Sequence, residues 1–221
     1  MKLSCVGWAN CRHTKLAFGI TSKELEEKRV AGIILAAGSS SRFGDIKQLL
    51  PWRDKNLVNT AIQTAKSAGL DPIIVVLGAN AGKIQETIDD DVVHVVVNPD
   101  WELGQSTSLK FGVKAISEPV EGVLFLLCDQ PQLSVNLVSA VVEEGRRSKK
   151  VVTPIINDRR ANPVYFPASC FQLFEKLEGD AGGRQIISAC PHTTFPWLDD
   201  WMSRDIDTPE DYQQLRDHFA L

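Results

Sequence analysis

From Leu35 to Lys47 the chain reads Leu-Ala-Ala-Gly-Ser-Ser-Ser-Arg-Phe-Gly-Asp-Ile-Lys, a run of small residues followed by two cations. Ala36, Ala37 and Gly38 let the main chain approach a polyphosphate closely, so that successive N–H groups can point at its oxygens. Ser39 and Ser40 extend the same loop, and Arg42 and Lys47 supply the opposing charge. A short helix starting within Ser39–Arg42 would add its N-terminal dipole to that attraction. The run is neither the Walker loop nor Gly-x-Gly-x-x-Gly, and its plainer alternative is a strand turning on a glycine.

A second group of polar residues calls for a divalent cation. Gly122-Val-Leu-Phe-Leu-Leu-Cys-Asp-Gln-Pro131 reads as a central strand with Asp129 at its carboxyl end and a proline that stops it. A carboxylate there faces the same rim as the phosphate loop and suits Mg²⁺, a hard ion that favours carboxylate and phosphate oxygens. The alternative is a turn aspartate capping the next helix. Asp205 and Asp207, two apart in Arg204-Asp-Ile-Asp-Thr-Pro-Glu-Asp, would share a face of an extended segment and could look toward the same ion. Thr208-Pro-Glu-Asp reads as a helix start, which leaves those two aspartates unexplained.

Three further stretches could shape a nucleotide or acceptor pocket. In Asn98-Pro-Asp-Trp-Glu-Leu-Gly-Gln-Ser-Thr-Ser-Leu109, Gly104 offers close backbone approach, and Ser106 and Ser108 offer hydroxyls that could read a base or ribose. A plain helix N-terminus would look similar. Asp158–Phe166 and Gly179-Asp-Ala-Gly-Gly-Arg-Gln185 are polar loops, with Arg184 the obvious clamp for a second phosphate, though each also reads as a turn. The four histidines are scattered and no Gly-x-Ser-x-Gly elbow occurs, so nothing points to a hydrolase.

Apolar runs predict strands over 31–36, 73–77, 93–97, 123–127, 151–155 and 163–166, alternating with helices over 56–68, 81–88, 105–116, 134–147, 169–177, 183–189 and 209–219. In the helix over 56–68, Asn56 is the expected cap and Gly69 the stop. The alternation implies right-handed crossovers and a three-layer α/β/α, Rossmann-like architecture on a mainly parallel sheet, with ligands at the carboxyl ends of the strands. Residues 1–29 fit this pattern poorly and read as a flexible or weakly helical extension to a domain over 30–221.

With 24 Lys and Arg against 28 Asp and Glu, the net charge of −4 argues against nucleic acid as a partner. The short basic run Arg146–Lys150 reads as the end of a solvated helix. No stretch reaches 18 consecutive apolar residues, so no membrane span is expected. The odd set of five cysteines has no Cys-x-x-Cys spacing, which suggests neither a zinc site nor a disulfide framework and makes a reducing cytoplasmic setting the default.

Taken together, these motifs resemble the nucleotidyltransferases with a molybdenum cofactor guanylyltransferase-like fold, most of all the molybdenum cofactor cytidylyltransferases of the MobA-like NTP transferase superfamily. The resemblance covers about residues 30–220 and rests on six motifs in the family's order: Leu35–Lys47, Asn98–Leu109, Cys128-Asp-Gln-Pro131, Asn162-Pro-Val-Tyr-Phe166, Gly179–Arg184 and Asp205–Asp211. The chain departs from the family at Phe43, where methionine is usual, and at Ala161–Asn162, where glycine and histidine are usual.

The resemblance implies transfer of CMP from CTP to the terminal phosphate of molybdopterin, Ala37 standing where GTP-using members have glycine. It implies Arg42, Lys47 and Asp129 as catalytic groups, and Mg²⁺ held by Asp129 with Asp205 or Asp207. Nucleotide and acceptor contacts would come from Leu35, Ala36, Ala37, Gly38, Ser39, Ser40, Gly78, Gly104, Ser106, Ser108, Asp180, Gly182 and Arg184. A molybdenum hydroxylase or its maturation chaperone is the implied partner. Transfer to a sugar or polyol phosphate, or non-catalytic delivery of the cofactor, remain the alternatives.

Overall fold

The computed structural model describes residues 29–88, 92–179 and 182–221. The N-terminal extension up to residue 28, and Asp180, lie outside the described residues. In chain order the strands are β1 (Val30–Ala36), β2 (Pro51–Trp52), β3 (Lys55–Asn56), β4 (Ile73–Leu77), β5 (Val93–Val97), β6 (Gly122–Leu127), β7 (Val151–Ile156), β8 (Arg159–Arg160), β9 (Val164–Pro167) and β10 (His192–Pro196). The helices are α1 (Leu57–Ser67), α2 (Ala81–Gln85), α3 (Gln105–Lys114), α4 (Val135–Ser148), α5 (Phe171–Phe174), α6 (Arg184–Ala189) and α7 (Pro209–His218).

Every residue of β1 is buried, because a strand reading Val-Ala-Gly-Ile-Ile-Leu-Ala has no polar face to offer water. It lies between β4 and β6, parallel to both, with Ile33 opposite Ile74 on one side and Phe125 on the other. The eight-stranded sheet has the path β10-β7-β9-β6-β1-β4-β5, with β8 folded back onto β7. β9 runs antiparallel to β6 and β7, and the sheet is otherwise mostly parallel.

Alternation along β1 sends its side chains into two cores. Val30, Ile34 and Ala36 pack with Val58, Ala61 and Ile62 of α1 and with Leu137, Val138 and Val141 of α4. Ala31, Ile33 and Leu35 turn to the opposite face, with Leu109 of α3, Phe174 of α5 and Ile186 and Ile187 of α6. Each fully buried Ile or Leu contributes about 1.5–3 kcal/mol, so this split fixes the register of the strand and the three-layer fold. Gly112 seats α3 on the sheet: a Cβ there would stand 2.6 Å from Ile33 Cγ2.

All six expected strands are present with end shifts of a residue. Helix α1 is capped by the Asn56 side chain, which accepts from the Asn59 amide at 2.9 Å, and the chain leaves it through Gly69 at φ +72°. The helix expected over 169–177 is instead a 3-10 turn (Ala168–Cys170) followed by one turn of α5, and that over 81–88 shortens to α2. Strands β2, β3, β8 and β10 were not foreseen. β2, β3 and β8 are two-residue pairs, and β10 is an edge strand of alternating exposed and half-buried residues whose apolar content is low. The basic run closes α4: Arg146 Nε and Lys149 Nζ both donate to Glu121, at 2.6 and 3.0 Å. No helix among the described residues is long and apolar enough to cross a membrane.

Candidate active site

The chain leaves β1 at the carboxyl edge of the sheet and enters the small-residue loop. There is no helix at Ser39–Arg42; instead Ser40, at φ +58°, starts a tight turn in which its carbonyl accepts from the amides of Phe43 at 2.9 Å and Gly44 at 3.3 Å. The turn is held from below by Gln48, only 2 % exposed, which sits in the 3-10 turn Lys47–Leu49. Its Nε2 donates to the carbonyls of Ala36 at 3.1 Å and Gly38 at 2.8 Å, and its Oε1 accepts from Ser40 Oγ at 3.2 Å. Ser40 Oγ in turn accepts from the Lys47 amide at 3.2 Å. The carbonyls of Ala36 and Gly38 are thus tied inward by a side chain, and Gly38 and Ser39 remain exposed at the tip.

Lys47 projects from the same turn toward the end of β6. Its Nζ donates to Asp129 Oδ2 at 2.9 Å and to Asp207 Oδ1 at 3.4 Å, and Asp207 Oδ2 lies 3.5 Å from the guanidinium of Arg42. Burial works against the ammonium, but the charge and hydrogen bond of Asp129, with Asp207 adding to them, leave its pKa above the ordinary lysine value. Asp129 Oδ1 is buried and has no hydrogen-bond partner among the described residues. Arg42, by contrast, is largely exposed.

The segment carrying Asp205 and Asp207 is strapped to the segment carrying Asp129. The Ile206 amide donates to the Asp129 carbonyl at 3.0 Å, and Gln132 Nε2 donates to the carbonyls of Trp201 at 3.0 Å and Arg204 at 2.6 Å. Gln130 Nε2 donates to Asp205 Oδ1 at 2.7 Å. The two aspartates therefore part company: Asp207 meets Lys47, while Asp205 is tucked against Gln130. Desolvation of the Asp205 carboxyl, then the nearby charge of Asp129, push its pKa up to about 6. Beyond Asp207, Thr208 and Asp211 form a capping box that starts α7, with the Thr208 amide donating to Asp211 Oδ2 at 2.8 Å. Among the described residues no three His, Cys, Asp or Glu side chains form a metal-ligating group.

The remaining candidates fall into two sets. Leu35 and Ala36 are buried strand-end residues, and Ala37 accepts from the Ala79 amide at 3.0 Å, so β1 and β4 end side by side. Gly78 lies at that junction: a Cβ there would come within 2.7 Å of both the Ala37 carbonyl and Trp101 Cβ. Its lack of a side chain lets the loop and Trp101 sit together.

Gly104, at φ +108°, opens α3. Ser108 Oγ accepts from Asn98 Nδ2 at 3.0 Å, while the buried Ser106 Oγ has no partner among the described residues. The Ser106 amide donates to the Gly179 carbonyl at 3.2 Å, which brings Gly179 to the start of α3. Gly182 lies against Gln105, and the exposed Arg184 begins α6. Sequence reasoning missed Gln48 and Gln132 and carried Gln130 only as part of the Cys128-Asp-Gln-Pro131 motif, without a role. Glutamine flanking a lysine or an aspartate carries no signal of its own; near-complete burial is what marks these three.

A cavity of about 300 Å³ lined by Asp205, Asp207, Asp211 and Arg204 adjoins this cluster. The small-residue loop, the lysine between two aspartates and the serine-bearing start of α3 lie at the carboxyl ends of the strands, the edge where open α/β sheets bind ligands. The chain belongs to the MobA-like NTP transferase family, whose domain model matches residues 32–194.

Among curated relatives it is 34 % identical to the purine catabolism protein PucB of Bacillus subtilis, over 84 % of this chain and 95 % of that one. It is 31 % identical to the nicotine blue oxidoreductase of Paenarthrobacter nicotinovorans, over 84 % and 96 %. Identity to the molybdenum cofactor cytidylyltransferase of Escherichia coli is 26 %, over 85 % and 96 %. Among solved structures, Rv0371c of Mycobacterium tuberculosis superposes with a TM-score of 0.78 at 26 % identity, covering 86 % of this chain and 99 % of that one. Its manganese complex gives 0.72 at 25 % identity, over 85 % and 97 %.

Proposed function

We propose that this chain is a magnesium-dependent nucleotidyltransferase that moves CMP from CTP to the terminal phosphate of molybdenum-loaded molybdopterin and releases pyrophosphate. One observation carries the reading: Lys47 Nζ is held between Asp129 and Asp207 directly beside the small-residue loop. The two carboxylates there, matched by Lys47 and Arg42, stand beside the small-residue loop as a set of charges that a metal and phosphate oxygens could replace pairwise. Asp129 Oδ1, buried and unpartnered, fits a further positive partner there. Asp129 and Asp207 would hold the magnesium ion, which when bound neutralises charge on the transferring phosphate oxygens.

The chain's own groups do the rest by position and charge. The amides of the loop that Gln48 shapes would receive the triphosphate, with Lys47 and Arg42 bringing positive charge to its oxygens. Gly104 and Ser106 at the start of α3 would face the nucleoside, with Ser108, whose hydroxyl accepts from Asn98, supporting them from behind, and Gly182 and Arg184 would face the acceptor, for which Asp180 is a further candidate contact. An oxygen of the acceptor's terminal phosphate attacks the α-phosphorus; the bond from that phosphorus to the bridging oxygen breaks, and pyrophosphate leaves. Ala37 supports CTP as donor, and the cytidylyltransferase relative supports the acceptor. The product would pass to a molybdenum hydroxylase or its maturation chaperone in the cytoplasm, a role in keeping with relatives named for purine catabolism and for a redox enzyme.

The nicotine blue oxidoreductase relative favours a second reading, in which the same cleft serves a redox reaction. The test is pyrophosphate release with Mg²⁺ and each of CTP, GTP, ATP and UTP, with and without molybdenum-loaded molybdopterin. Release from CTP only with the pterin is the expected result. Release only with a sugar or polyol phosphate would replace the acceptor. Pterin binding with no release would move the protein to cofactor delivery, and redox turnover of nicotine blue without release would favour the redox reading.

A further inference from the structure

Cys170 and Cys190 lie 20 residues apart in sequence, yet their sulfurs touch at 2.6 Å. Cys170 is buried in the 3-10 turn after β9, and Cys190 caps the end of α6, where its sulfur is half-buried. The chain between them carries α5, Gly182, Gly183 and α6, so Gly182 and Arg184 belong to a segment whose two ends are these thiols. We infer that Cys170 and Cys190 are a site of reversible oxidation, and that the disulfide formed there ties down both ends of the segment bearing Gly182 and Arg184.

No side chain separates the two sulfurs, so bonding needs no refolding of either element. Cys128 stands apart, buried in the other core. Burial and the neighbouring Cys190 thiol push the pKa of Cys170 up to about 12, so the more accessible Cys190 is the sulfur that meets an external oxidant first.

With a low-molecular-weight disulfide such as oxidised glutathione, the Cys190 thiolate attacks one glutathione sulfur and releases one glutathione thiol. The Cys170 sulfur then attacks Cys190 Sγ and releases the second. Two cysteine thiols are oxidised, one glutathione disulfide is reduced, and the protons end on the two glutathione thiols. The inference makes no use of the proposed transfer reaction, so either can fail alone.

The test is to incubate the native full chain with oxidised glutathione and digest it with trypsin without reduction. Cleavage after Arg160, Lys176, Arg184 and Arg204 places the two cysteines in separate peptides, 161–176 and 185–204. The expected result is a linked pair of those peptides, a loss of about 2 Da from the intact chain, and return to the starting mass with dithiothreitol. Brief trypsin treatment of the folded, oxidised chain should cut after Lys176 and Arg184 about tenfold more slowly than in the reduced chain, because linked feet restrict local opening. Cys190→Ala should lose both the linked pair and the protection.

A glutathione adduct that persists on Cys190, or linkage of Cys190 to Cys5, Cys11 or Cys128, would overturn the pairing. Linked peptides with unchanged cleavage would overturn the tie on the motif. The wild-type digest decides the pairing whether or not a variant folds.

Discussion

Replacing Gln48 with methionine removes three hydrogen bonds from the Gly38–Ser40 loop while keeping the length and volume of the side chain. In the folded chain Gln48 binds the carbonyls of Ala36 and Gly38 and the hydroxyl of Ser40. Each such bond contributes about 0.5–1.5 kcal/mol net, and the buried Ala36 carbonyl would be left without its side-chain partner. The exposed Gly38 carbonyl can turn to water, which limits its share of the loss. Q48M should therefore cost about 2–3 kcal/mol, a fall of about 4–12 °C in the thermal midpoint for a chain of this size.

Part of that loss should reappear in nucleotide binding, because the loop must then be ordered by the ligand. If half is recovered on binding, the dissociation constant for CTP rises about tenfold, since each 1.4 kcal/mol is a factor of ten. Urea unfolding at unchanged m-value gives the first number, and calorimetric titration with CTP the second. A variant as stable as wild type, or one destabilised by the expected amount that binds CTP as before, would refute the idea that Gln48 holds the loop in its binding form.

Three further perturbations test the rest of the site. Asp129→Asn should leave the fold intact and cut turnover about 1000-fold, the scale of several kcal/mol of lost charge stabilisation; steady-state pyrophosphate release checks it, and near-normal turnover in a folded variant would reject the assignment. Gln132→Met should cost about 2–4 kcal/mol by leaving the Trp201 and Arg204 carbonyls without their donor, and should raise the Mn²⁺ dissociation constant, read by titration calorimetry, because the strap under Asp207 loosens. Asp205 has a folded pKa of about 6 against an ordinary 3.8, so the folded state binds its proton more readily. Its contribution favours folding fully below about pH 4 and is lost as pH rises through 6. Asp205→Asn should flatten the stability curve between pH 4 and about 7 in urea titrations, and an unchanged slope would exclude the shift.

Much of the fold is legible in the sequence because its signals are local. Val30–Ala36 and Gly122–Leu127 have no polar face and so had to become central strands; Asn56 and Thr208 mark helix starts by accepting from amides three residues on, and Pro209 occupies the first helical position after Thr208. The same locality made the small-residue loop, its cations and Asp129 readable as parts of one rim, since parallel strands deliver their carboxyl ends to the same edge.

Tertiary structure alone decided which of these groups meet. Two aspartates two residues apart looked equivalent, but the Gln130 bond draws Asp205 aside and leaves Asp207 on Lys47, through contacts spanning 75 and 160 residues. The buried glutamines, the touching cysteines and the edge strand β10 were silent for the same reason. A polar side chain becomes structural only when burial makes its unmet hydrogen bonds costly, and burial depends on chain segments that no local pattern encodes.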